Sequence, residues 1–287
     1  LLVAVLGAAC GGSNRPPPRS GAVSGDGSDG LPLPAAVCVP AALPADTSSP
    51  AAVVGTGTVA SCTEAAFEAA VAAGGVVTFD CGPDPVILYL SGEKRVTRDT
   101  VIDGGGRVTL SGGGVTRLLG IHSTFDKAGP TLTVQNLTLR DGLASGTPVP
   151  LGIDVDGGGG AIFHLGGSVV AVNARFIGNQ AATWGPDVAG GAISGIGVGS
   201  TVISGCAFRG NRAANGGALG SLHTAVTVAN ASFESNEATG RGANSVSGGQ
   251  QVGHGGNGGA LSMDGVGRTL SLCGATFRGN AAGAIGG

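Results

Sequence analysis

Two short signatures recur together in the second half of the chain, and their alternation restricts the folds open to it. The first is Phe-x-x-Asn, at Phe176 to Asn179, Phe208 to Asn211, Phe233 to Asn236 and Phe277 to Asn280. The second is Gly-Gly-Ala followed by Ile or Leu, at 159–162, 190–193, 216–219 and 258–261, with a worn version at 282–285. Successive Phe residues are 32, 25 and 44 positions apart, and successive Gly-Gly-Ala corners 31, 26 and 42. The shortest interval is too small for a four-stranded propeller blade and suits a coil of short strands and turns. The excess in the longer intervals falls at 182–189 and 240–257, in both cases between the Asn and the next Gly-Gly. Both insertions therefore leave the coil at the same corner.

Aligning the repeats gives each column a physical role. Three positions before each Phe stand Asn173, Gly205, Asn230 and Gly274, with Asn136 extending the column before Leu139. Asn and Gly enter the left-handed backbone region most readily, so this column reads as a bend. Ala174, Cys206, Ala231 and Ala275 follow, small enough to point inward, and the residues after each Phe (Ile177, Arg209, Glu234, Arg278) are expected in solvent by the period of two along a strand. The Phe column is expected to stack through the core, and the Asn column to form a ladder from coil to coil.

The composition supports turns and excludes several partners. The 287 residues include 58 Gly without a Gly-X-Y period, which removes collagen. A net charge of -3 without a basic cluster gives no footprint for nucleic acid, and 3% aromatics cannot build a broad stacking platform.

Before the repeat the chain changes character several times. Residues 1–10, LLVAVLGAAC, form an apolar run too short to span a bilayer, which reads as a secretory signal remnant. Residues 11–52, rich in Pro, Gly, Ser and Ala, read as a disordered tether, and Cys38 within them has no obvious local partner. The span 53–287 reads as one solenoid domain. Ser61 to Glu64 has the spacing of a capping box, followed by a short apolar helix that ends at Gly74-Gly75. Short strands are expected at 76–79, 86–90, 100–102, 108–110, 118–121 and 132–134. Cys62 and Cys81 are positioned for a disulfide between helix and strand, the alternative being two buried thiols; Cys206 and Cys273 read as small buried thiols that cannot reach each other. The sequence stops at 284–287 in mid-repeat, which predicts a truncated C-terminus.

These columns resemble the right-handed parallel β-helix of the pectate-lyase-like superfamily, an all-β, three-sheet solenoid with a short N-terminal capping helix. The pairing of Gly-Gly-Ala-(Ile/Leu) with Phe-x-x-Asn is similar to the repeats of bacterial polymorphic outer-membrane proteins. The end of the N-terminal run resembles a lipobox, with Cys10 as the lipidated residue and Leu6 one place further away than usual; an ordinary signal peptide is the alternative. The resemblance implies an exported, surface-associated protein, at the outer membrane, the cell surface or outside the cell, and implies no particular chemistry.

A polysaccharide lyase of this kind needs carboxylates for Ca2+ and a basic residue. Asp154 and Asp156 are the densest acidic spot, with Arg140 and Arg175 as nearby bases, but no third carboxylate is close in sequence. A polygalacturonase-like hydrolase would show paired aspartates with Gly-His-Gly; Gly253-His254-Gly255 is present without an Asp-Asp pair. Asp154, Asp156 and His254 are thus weak catalytic candidates, and neither a cofactor nor a metal is expected. The insertions carry the better recognition candidates, Trp184 and Asp187 in the first and Arg241, Gln250, Gln251 and His254 in the second, the alternative being a disordered Gly-rich excursion. The expectation is a monomeric, non-catalytic structural or adhesive surface domain that meets polysaccharide or a neighbouring cell, touching membrane only through its lipid. A carbohydrate-active β-helix enzyme acting on acidic polysaccharide is the alternative.

Overall fold

The structure, a computed structural model, describes residues 21–144 and 157–286. Cys10, Asp154 and Asp156 lie outside the described residues. The chain is all-β in character, its strands pairing almost everywhere in parallel. Among the described residues, antiparallel strand pairs are confined to Gly21–Ser24 against Val86–Tyr89 and Val246–Ser247 against Gln250–Gln251.

The largest sheet consists of two neighbouring columns joined through the strand Thr131–Arg140. The first half of that strand pairs with Ser168–Val172 and the second half with Arg175–Ile177. One column continues through Ser200–Ser204, Ala225–Ala229 and Leu270–Cys273, the other through Ala207–Arg209, Ser232–Glu234 and Thr276–Arg278. Between the columns each coil bends at one left-handed residue: Asn136, Asn173, Gly205, Asn230 and Gly274 have φ of 50°, 50°, 65°, 52° and 63°. A β-branched or bulky residue would be strained there, which accounts for the Asn and Gly spelling. A second, six-stranded sheet runs Lys94–Arg95, Leu119–His122, Ile162–Leu165, Ile193–Ile196, Leu219–Leu222 and Leu261–Asp264. In the coils from Ile162 onward the chain passes from this sheet to the first column, across the bend to the second column, and back through a Gly-Gly corner. The result is a solenoid-like stack of parallel strands.

The core follows the same columns. Phe176, Phe208 and Phe233 are fully buried, and the rings from Phe176 to Phe277 stack nearly parallel at centroid separations of 4.7, 4.8 and 4.9 Å. That is the distance between neighbouring strands, so the rings keep step with the backbone ladder. Asn179, Asn211 and Asn236 are also fully buried. The backbone N–H of each donates to the side-chain oxygen of the next Asn, at 3.0, 3.0 and 2.9 Å, ending on Asn280. Each side-chain nitrogen donates to the same oxygen and also to a backbone carbonyl of the preceding coil, those of Leu139, Phe176 and Phe208. Polar atoms that would be costly to bury are thereby paired with one another. The first Gly of each corner, Gly159, Gly190, Gly216 and Gly258, has positive φ, and a Cβ there would collide with the carbonyl oxygen of the residue three positions on.

Near the N-terminus the helix Glu64–Ala73 is capped by Thr63, whose hydroxyl accepts from the Ala66 N–H at 3.1 Å. Ser61 is not the cap, because a 3-10 turn at Val59–Ser61 intervenes and its hydroxyl donates to Thr58 O. Glu64 instead holds Ser91 and, with Glu68, the buried amine of Lys94. Cys62 and Cys81 form a disulfide.

Residues 21–50 depart from the expected tether. They form a strap laid along the outside of the largest sheet. Gly21–Ser24 pairs as a strand; Arg140 then donates to Gly27 O and pairs with Asp29, and Arg175 donates to Leu31 O at 2.6 Å. Leu31 is buried against Ile177 and Ala207, so Ile177 is covered rather than solvated. Further along, the Asn230 side chain accepts from the N–H of both Val37 and Cys38, at 2.8 Å each, and Cys38 is disulfide-bonded to Cys273 in the last coil. The strap then turns back, bonding through Ala45 to Gln135 and through Thr47 to Asp103. Cys38 and Cys273, read separately as an orphan and a buried thiol, are therefore partners 235 residues apart. A Pro-rich segment buries little apolar surface of its own, but its free backbone groups are met here by Arg, Asn and Gln side chains projecting from the sheet. Local composition cannot reveal such partners.

Candidate recognition site at the paired insertions

The two insertions, 182–189 and 240–257, lie side by side. Asn215, buried just before a Gly-Gly corner, fixes both of them. Its side-chain nitrogen lies 3.1, 2.9 and 3.1 Å from the carbonyl oxygens of Gly185, Pro186 and Val188. Its side-chain oxygen accepts from the backbone N–H and side-chain nitrogen of Asn257, at 3.1 and 2.8 Å. Thr239 donates to Thr183 O, and Gly185 N–H donates to His254 O. Val188 is buried with Ala181, Ala213 and Ala214. The insertions are thus anchored by hydrogen bonds and apolar contact on a rigid coil, which preorganises whatever they present.

On this frame Trp184 is 44% exposed, its ring meeting that of His254 edge-on at a centroid distance of 5.2 Å. Asp187 is half-buried; burial raises its carboxyl above the ordinary aspartate range, and the negative charge of Asp264 adds to the effect. The Arg241 carbonyl accepts from the His254 N–H. Gln250 sits in a projecting hairpin, paired with Ser247 and turned by Gly248 and Gly249 at positive φ. Trp184, His254 and the Arg241 backbone are brought together, whereas Gln250 stands at the hairpin end, and Gln251 pairs with Val246 in the same hairpin. A partly exposed indole packed edge-on against an imidazole, on loops held in place, suits contact with a ring-shaped polar ligand.

A second constellation has no counterpart in the sequence reading. Glu93 receives Arg117 at 2.5 Å on one carboxylate oxygen and His122 Nε2 at 2.6 Å on the other. Arg117 also donates to Gly158 O and Gly159 O, and its guanidinium lies 4.9 Å above the buried Phe163 ring, against which His122 also packs. Burial of Glu93 favours its neutral form, but the hydrogen bond from His122 and the Arg117 charge outweigh this and hold its pKa at about 2. A cleft of about 200 Å³ adjoins the cluster, lined by His122, Arg95, Thr97 and Ser123 among others. Arg117 and His122 are 24 and 29 residues from Glu93, close to one coil. Coil spacing is the signal that would have grouped them, but the Phe-x-x-Asn register does not extend that far back.

The remaining candidates are engaged elsewhere. Arg140 and Arg175 hold the strap. His164 is wholly buried, burial lowers its pKa to about 4, and it bonds Gly167 O and the Thr201 hydroxyl. Cys206 is a buried free thiol whose pKa burial pushes up to about 12, which removes it from thiolate chemistry. Among the described residues no group of three His, Cys, Asp or Glu side chains is placed to hold a metal ion, and no helix is long and apolar enough to cross a membrane. No protein-family model matches the chain, and neither a curated protein nor a solved structure matches it.

Proposed function

We propose that this chain is an exported, cell-surface, right-handed parallel β-helix whose role is structural and adhesive, with the paired insertions as its recognition surface. The observation that carries the reading is the contrast between coil body and insertions. In the body, the buried Asn and Phe columns bond and stack with one another. The insertions are clamped by Asn215 yet keep Trp184 partly in solvent. A loop held in place on a packed coil suits a binding surface. Disulfides at Cys62–Cys81 and Cys38–Cys273 fit an oxidising compartment. Lipidation at Cys10 would supply the membrane tether, and polysaccharide or a neighbouring cell is the partner class.

A carbohydrate-active enzyme is the second reading, favoured by the Glu93–His122 pair beside its cleft. Neutral and acidic polysaccharides incubated with the purified chain separate the two. The adhesive reading expects retention of polymer with no new reducing or unsaturated ends. Release of such ends, lost on His122→Ala, would establish the enzyme instead.

A further inference from the structure

The return arm of the strap meets the largest sheet at a hydroxyl, a carboxylate and a carboxamide. Asp103, in the strand Thr100–Ser111, stands directly opposite Gln135 of Thr131–Arg140. One oxygen of the Asp103 carboxylate is held by the Gly105 N–H and the Asn136 side chain, at 2.8 and 3.1 Å. The other accepts from both the Thr47 hydroxyl, at 3.1 Å, and the Gln135 side-chain nitrogen, at 2.9 Å. The Gln135 side-chain oxygen accepts from the Ala45 N–H at 2.7 Å, and its nitrogen also donates to Ala45 O at 3.0 Å, so the carboxamide has one orientation. A hydroxyl nucleophile and a carboxamide thus share one carboxylate oxygen, and the strap supplies both the hydroxyl and a donor aimed at the carboxamide oxygen.

We propose that Thr47 and Gln135 are the partners of an intramolecular ester bond, which the folded chain forms on itself with Asp103 as the base. The Thr47 oxygen attacks the side-chain carbonyl carbon of Gln135, and its proton passes to Asp103. Negative charge develops on the carbonyl oxygen, where the Ala45 N–H already points. As the intermediate collapses the C–N bond breaks, and the nitrogen takes the proton from Asp103 and leaves as ammonia. An ester joins Thr47 to the former carboxamide, Asp103 is regenerated, and nothing is oxidised or reduced.

The surroundings suit each step. Burial favours the neutral acid at Asp103, but the hydrogen bonds from Gln135, Gly105, Asn136 and Thr47 outweigh it and hold the carboxyl below the ordinary aspartate range. The proton-accepting form is therefore the one present near neutrality. Gln135 is 1% exposed, which limits competition from water, while a cleft of about 150 Å³ lined by Thr47, Asp103, Gly104 and Arg107 gives ammonia a way out. The bond closes the return arm of the strap covalently onto the sheet, and it is independent of any ligand at the insertions.

The test is peptide mapping of the purified full chain by tandem mass spectrometry under denaturing conditions. The peptide containing Thr47 should be joined to the one containing Gln135, the pair lighter by one ammonia than the two together, and hydroxylamine should separate them. Thr47→Val should abolish the joined pair and Thr47→Ser should keep it. Asp103→Asn should slow its formation at least about a hundredfold. Separate Thr47 and Gln135 peptides of unaltered mass from a folded wild-type chain, even after prolonged incubation in mildly alkaline buffer, would overturn the proposal and leave a set of hydrogen bonds only. A joined pair that persists in Thr47→Val would overturn it as well.

Discussion

Replacing Asn211 with Ala tests the ladder where it is most enclosed. Asn211 is fully buried; its side-chain oxygen accepts from the Asn179 backbone N–H and side chain, and its nitrogen donates to Phe176 O and to Asn236. An Ala side chain leaves the Asn179 N–H unpaired in the core, out of reach of water, and takes one hydrogen bond each from the Asn179 side chain, the Phe176 C=O and Asn236. At roughly 1–3 kcal/mol for the stranded N–H and about 0.5–1 kcal/mol for each further bond lost, the loss is about 4 kcal/mol. Asn280 makes equivalent bonds to Asn236 and Phe233 at the last coil, where it is only partly buried. Water can replace the amide there, and Asn280→Ala should cost about 1 kcal/mol. Urea unfolding followed by far-ultraviolet circular dichroism, at matched slopes, reads the difference. Equal losses at the two positions would refute the reasoning, because they would place Asn211 in contact with solvent.

Three further outcomes follow from the same geometry. Phe208→Ala removes the middle of the ring stack and should cost about 3–5 kcal/mol by the same unfolding assay, whereas Phe277→Ala, at a ring 49% exposed, should cost well under half as much. The pKa of Glu93, held at about 2, lies below its unfolded value near 4.5, so its contribution is complete above pH 4.5 and is lost as the pH falls toward 2. Glu93→Gln should therefore flatten the acid limb of stability against pH in that window, and an unchanged limb would show that the pair with Arg117 and His122 carries no net stabilisation. His164 is held neutral with its pKa near 4, below the unfolded value of 6.5, so its contribution is full above pH 6.5 and falls away as the solution is acidified toward pH 4. His164→Gln should remove that slope in thermal melts taken across the interval.

The parts of the fold legible in the sequence were those where one residue type serves one geometric need in every coil. The left-handed bend admits Asn or Gly, and the core position admits a flat ring at strand spacing, so both columns could be read by alignment alone. The strap could not. Leu31, Val37 and Cys38 are held by Arg175, Asn230 and Cys273, each more than 140 residues away, and local composition carries no trace of those partners. Ile177 shows the effect in reverse: the period of two sends it to solvent, and the strap covers it. At the candidate site, the shared corner of the two insertions was readable from interval lengths, but the clamp was not. Asn215 is an ordinary polar residue until the carbonyls of Gly185, Pro186 and Val188 converge on it. Glu93, Arg117 and His122 were missed for a related reason, since no repeated spelling marks their coil.

Trp184→Ala tests most directly whether the clamped insertions recognise a ligand. Trp184 sits at the surface against His254, so its removal should leave the thermal midpoint nearly unchanged. Binding of wild-type and Trp184→Ala chains to a polysaccharide panel and to intact cells, measured side by side, should show loss of most retention in the variant at equal stability. Retention equal to wild type in a folded variant would contradict the account.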